Sequence, residues 1–115
     1  MNVALINGPS PDGSLFTRDG RCTQRAAIWS VQWPPLTLAY LAAVADDERT
    51  QPTIIDCPPT LTTTEMLLAQ LRKNPPALCV LATGTPTIDT DTAVARAIKK
   101  EFPDTLLALI GVHVS

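Results

Sequence analysis

One histidine, three cysteines and five glycines in 115 residues leave little material for several common chemistries. The lone His113 and the scattered Cys22, Cys57 and Cys79 assemble into no specific Ser-His-Asp or Cys-His arrangement. The cysteines are odd in number and widely spaced, with no C-x-x-C or C-x-x-x-C-x-x-C run, so neither a disulfide frame nor an iron–sulfur site can be read from them. Asp12, Asp56 and Asp89 fall near strand ends without a spacing that singles out a metal site. The glycines form neither the G-x-x-x-x-G-K of a nucleotide-hydrolysing loop nor the G-x-G-x-x-G of a dinucleotide fold; Asn7-Gly8-Pro9 stands after the first strand instead. An excess of one charge is lacking as well. Nine basic against eleven acidic residues give a net charge of -2, which excludes a nucleic-acid binder with a broad basic face. Apolar runs such as Leu106 to Ile110 are far too short for a bilayer, and the basic-then-apolar order of a signal peptide is missing, so a cytoplasmic protein without membrane contact is expected.

Proline is plentiful instead, at eleven residues, and it punctuates the chain. Pro34-Pro35, Pro58-Pro59 and Pro75-Pro76 mark joints, because proline fits a helix's first turn but not its interior or a central strand. With 45% hydrophobic and 17% charged residues, the chain can form one packed α/β domain over 1–115. Four continuous apolar runs, Val3 to Asn7, Thr53 to Asp56, Leu78 to Ala82 and Leu106 to Ile110, predict strands buried on both faces, as in a parallel sheet covered by helices. Helical patterns lie between them. The first spans Pro34 to about Asp46; the second starts at Thr62-Thr63-Thr64-Glu65, with Thr62 expected as its cap. The third is expected to be capped by Thr87, with Ile88, Ala95, Ile98 and Phe102 sharing a face. Right-handed crossovers turn this order into a doubly wound, Rossmann/flavodoxin-like sheet ordered 2-1-3-4. The fourth strand is then an edge without protective charge or proline, so a fifth strand and helix are expected from a longer parent chain or a partner; the alternative is a homodimer through that edge.

In such a sheet, ligands bind at the carboxyl ends of the strands, beside the reversal of strand order. Three loops meet there. The long stretch Gly8 to Trp33 holds Phe16, both tryptophans (Trp29, Trp33) and half the arginines (Arg18, Arg21, Arg25), a mixture suited to an anionic and flat partner, or equally to covering the domain's own top. Thr83-Gly84-Thr85-Pro86-Thr87 offers hydroxyls at a helix start, for a ligand or for turn and cap chemistry. Gly111-Val112-His113-Val114-Ser115 brings the histidine, as a ligand contact or a surface group, and a glycine that permits close backbone approach.

Gly20-Arg21-Cys22-Thr23-Gln24, Trp33-Pro34-Pro35-Leu36-Thr37-Leu38-Ala39-Tyr40-Leu41-Ala42-Ala43, Ile54-Ile55-Asp56, Ala82-Thr83-Gly84-Thr85-Pro86-Thr87 and Gly111-Val112-His113-Val114-Ser115 together resemble the N-terminal cobalamin (B12)-binding domain of B12-dependent radical-SAM enzymes. The resemblance covers nearly all of the chain. It implies a domain holding the corrin across the strand ends, with Thr83, Gly84 and Thr85 touching the cofactor and Gly111, Val112 and His113 lining its nucleotide-tail side; Asn7, Gly8 and Thr87 complete the expected cofactor-binding set. In such enzymes the cobalt carries a methyl group or tunes a radical reaction begun by a separate domain with a 4Fe-4S cluster and S-adenosyl-L-methionine. This chain lacks that domain's three-cysteine motif, so the resemblance implies an N-terminal portion, not catalytic alone, with the radical-SAM catalytic domain as its partner. Asn7-Gly8-Pro9-Ser10-Pro11-Asp12-Gly13 lacks the D-x-H-x-x-G that gives the cobalt a histidine in methionine-synthase-like domains, as the radical-SAM branch commonly does, and Val112 replaces a second glycine found in many relatives. Two other readings stand beside this one: a flavodoxin-like nucleotide-binding module, for which prolines replace the expected phosphate donors, and a cofactor-free docking domain.

Overall fold

The computed structural model describes residues 1–11, 16–18, 24–25 and 34–114. The elements are β1 (Asn2–Asn7), a short antiparallel pair β2 (Phe16–Thr17) and β3 (Gln24–Arg25), α1 (Leu36–Ala45), β4 (Gln51–Asp56), α2 (Thr64–Lys73), β5 (Leu78–Ala82), α3 (Ile88–Glu101) and β6 (Leu106–Ile110). Four parallel strands form one sheet in the order β4-β1-β5-β6, which is 2-1-3-4 when its strands are numbered alone. The architecture is therefore α/β and doubly wound, as the apolar runs require. The pair β2 and β3, set within the Gly8 to Trp33 stretch, has no counterpart in the sequence reading.

Alternation along the strands divides the core in two. Ala4, Ile6, Cys79 and Leu81 face α2 and α3, meeting Leu67, Leu68, Leu71, Val94, Ala95 and Ile98. Val3, Leu5 and Val80 face the other way, toward Leu38 of α1. Each fully buried Leu or Ile contributes roughly 1.5–3 kcal/mol by leaving water, so the larger cluster under α2 and α3 carries most of the hydrophobic stabilisation. α1 lies against β4 and β1 alone among the sheet strands it meets extensively. The other side is not fully closed either: a groove of about 340 Å³ runs between α2 and the face of β4 and β1, lined by Thr53, Ile55, Thr62, Gln70, Leu71 and Asn74 among others.

Two helix starts differ from expectation. α2 is capped by Thr63, whose side chain accepts from the Met66 amide at 3.2 Å, one residue later than the T-x-x-E pattern placed it. Thr62 is instead buried, its hydroxyl 2.6 Å from that of Thr60 in the turn before the helix. Burial thus takes the first threonine and leaves the second to cap. Thr87 does stand at the cap position of α3, but its side chain makes no capping bond, being committed to a buried carboxylate. Arg72 near the end of α2 pairs with Glu101 at the end of α3, tying the two helices at the surface. No described helix is long and apolar enough to cross a membrane.

Candidate functional site

The carboxyl ends of β1, β5 and β6 bring the three predicted loops together. β1 ends at Asn7, whose side-chain amide donates to Asp56 Oδ1 at 2.7 Å, linking the ends of β1 and β4. Beyond β5, Thr83 is buried; its amide and its hydroxyl both donate to the Ile110 carbonyl, at 2.7 and 2.8 Å, and so clamp the end of β6. Gly111 follows at φ 139°, and a Cβ there would stand 2.3 Å from the Thr83 carbonyl oxygen. That position demands glycine on both counts: backbone conformation, and contact between the two loops. Gly8 is less constrained, since an added Cβ would meet Leu81 Cδ1 at an ordinary 3.4 Å.

A buried cation holds the centre of this end. Arg18, on the segment just after β2, reaches the point where strand order reverses between β1 and β5. Its Nη1 donates to Asn7 Oδ1 at 3.0 Å and the Gly8 carbonyl at 2.8 Å, its Nη2 to the Pro9 carbonyl at 3.0 Å and Asp91 Oδ1 at 2.9 Å, and its Nε to Thr87 Oγ1 at 3.3 Å. All five guanidinium donors are thereby used. The Arg18 and Asp91 side chains are 1% and 0% exposed. Asp91 Oδ2 receives the Thr87 hydroxyl at 2.7 Å and the Gly84 amide at 3.2 Å, so both charges are satisfied without water.

The nine residues expected at the site thus separate into two tiers. Asn7, Gly8, Thr83, Gly84 and Thr87 are buried and Gly111 half-buried, together forming the floor; Thr85, Val112 and His113 are exposed above it. His113 Nδ1 lies 3.3 Å from Thr85 Oγ1, joining the loops after β5 and β6 at the surface. Arg18 belongs to the floor, not to a surface for an anionic partner, because its donors are all committed internally. Arg21, Trp29 and Trp33 lie outside the described residues, as does Cys22. Cys57 and Cys79 are buried free thiols. Burial, with the Asp56 charge adding to it, pushes Cys57 up to about 12, and burial pushes Cys79 up to about 11, so both remain protonated and unreactive at neutral pH. Among the described residues, no three His, Cys, Asp or Glu side chains cluster closely enough to hold a metal ion.

Asp91 escaped the sequence reading as a site residue. The signal for more was present: it falls in the stripe with Val94, Ala95 and Ile98, and a carboxylate in a buried stripe requires a cation from elsewhere in the chain. Comparison of the chain with protein-family models, with curated proteins and with solved structures finds no match in any of the three.

Proposed function

We propose that this chain is a cobalamin-binding domain that receives the corrin on the ledge formed by the loops after β1, β5 and β6, as the non-catalytic partner of a radical-SAM catalytic domain. The observation that carries this reading is the convergence of the Thr83-Gly84-Thr85-Pro86-Thr87 and Gly111-Val112-His113 segments, joined by the Thr83 bonds to Ile110 and the Thr85–His113 contact, at the reversal of strand order. The donor set fits a corrin in kind: the exposed Thr85 and His113, joined above a layer of buried residues, are polar groups able to bond peripheral amides. Thr85 and His113 would make those bonds, and Val112 would supply apolar contact. Asn7, Gly8, Thr83, Gly84, Thr87 and Gly111 act through shape, setting the height and rigidity of the floor. The group, when bound, supplies a cobalt centre able to carry a methyl group or tune a radical reaction, while the iron–sulfur cluster and S-adenosyl-L-methionine belong to the partner domain.

Titrating the chain with hydroxocobalamin tests this reading. The account expects co-elution of protein and cofactor with a change in the corrin absorption, and a loss of about tenfold in affinity on combining Thr85→Ala with His113→Ala, the order of one good hydrogen bond. A wild-type chain that leaves the spectrum unchanged and elutes free of corrin contradicts it. One observation favours a second reading, the cofactor-free docking domain: Arg18 fills the crevice at the reversal point with its own guanidinium. The same titration separates the two.

A further inference from the structure

Ala4 of β1 and Thr53 of β4 stand side by side in the ladder, on the face of the sheet that packs against α2, as Ile55 two residues further on also does. Two short side chains in adjacent strands do not fill the space that a pair of leucines or valines would take up under a helix. What remains is the groove of about 340 Å³, a volume within the range of small-ligand pockets. Its apolar surfaces include Ala4, Ile55, Leu71 and Pro76, and polar groups surround them. Gln70 and Asn74, about one helical turn apart, both line the groove. The Gln70 carboxamide and the Thr53 hydroxyl bond to no described residue. Asn74 Oδ1 accepts from Asn2 Nδ2 at 2.6 Å, which leaves the donors of Asn74 available. Thr60 and Thr62, their hydroxyls 2.6 Å apart, complete the polar lining together with Asp56, whose Oδ1 takes the Asn7 amide at 2.7 Å. No lysine, arginine or histidine lines the groove, so an anionic ligand finds no cation there.

We propose that this groove binds a small, neutral, planar heterocycle of the nucleobase class, its ring against Ala4, Ile55 and Leu71 and its edge read by the Gln70 carboxamide. A carboxamide holds a donor and an acceptor side by side in one plane. It therefore pairs best with an edge that presents the complementary acceptor and donor, as glutamine does with adenine. Lactam and amidine edges have that pattern, whereas a polyol presents hydroxyls without a common plane. Gln70 is the residue free to make the paired bonds, while Thr53 and the Asn74 donors serve a second polar group of the same ring. The lack of a lining cation selects the base without a phosphate. The groove lies along α2 and not among the loops after β5 and β6, so the inference is independent of the cobalamin reading.

Amide chemical-shift titration of the labelled full chain with adenine, with uracil and with myo-inositol, a neutral polyol without a planar edge, tests the proposal. The expected result is saturable shifts at Thr53, Gln70, Leu71 and Asn74 with at least one of the two bases, at a dissociation constant on the order of a millimolar, and none with inositol. Gln70→Leu, a substitution at an exposed helix position, should weaken binding by about tenfold or more, because the edge of the base is then left unpaired. Thr53→Val, which keeps the shape and removes the hydroxyl, should weaken it by about threefold and serves the same test should Gln70→Leu not fold. Neither base giving saturable shifts in the groove overturns the proposal. So do equal shifts with inositol, or a folded Gln70→Leu chain that binds the base as the unaltered chain does.

Discussion

At the scale of single residues, the Arg18–Asp91 pair decides most about the candidate site. Two charges withdrawn from water are tolerable here because every donor of the guanidinium and both carboxylate oxygens have partners. Removing one partner strands the other. Arg18→Met should therefore destabilise the chain by about 3–5 kcal/mol in urea unfolding, and adding Asp91→Asn should recover part of that loss. A cost near zero for Arg18→Met would mean that the pair is not held as described. The pair also fastens the segment after β2 to α3, so the same variant is expected to loosen the floor under Thr85 and His113. Neither residue was placed in sequence, because a contact between positions 18 and 91 is fixed by tertiary packing and leaves no local trace beyond a carboxylate in an apolar stripe.

At the scale of elements, the strands were legible because their signal is internal. Leu78–Ala82 and Leu106–Ile110 coincide with the apolar runs, but burial on both faces holds only for the two central strands: β4 and β6, at the sides of the sheet, have no fully buried residue, and Leu106 is 68% exposed. β4 begins earlier than its apolar core, at Gln51, because the ladder with β1 extends to Asn2 whatever the side chains are. Helix starts were less legible, for there adjacent threonines compete for burial and for capping. Thr63→Ala should cost about 1 kcal/mol through the lost bond to the Met66 amide. Glu65, which the T-x-x-E pattern would have reaching back, is exposed in the first turn, and Glu65→Gln should change thermal stability by less than Thr63→Ala does. The reverse ranking would restore the earlier cap.

At the scale of the whole molecule, the fold brings the expected site residues to one end but stacks them, a distinction no sequence pattern carries. Periodicity tells which residues leave a strand's end together; it does not tell which hydroxyls are consumed below the surface. Thr83 and Thr87 look like ligand donors in sequence and are structural in space, whereas Thr85, Val112 and His113 remain outward. The exposed stripe of Leu36, Tyr40 and Val44 on α1 was not foreseen, because a helical pattern that accounts for the face holding Leu38 says nothing of the other. The measurement that bears most directly on the central claim is amide chemical-shift mapping of the labelled chain as hydroxocobalamin is added. Shifts concentrated at Thr85, Val112 and His113, with α1 unmoved, are the predicted result; a spectrum indifferent to the cofactor, or shifts confined to α1, would contradict it.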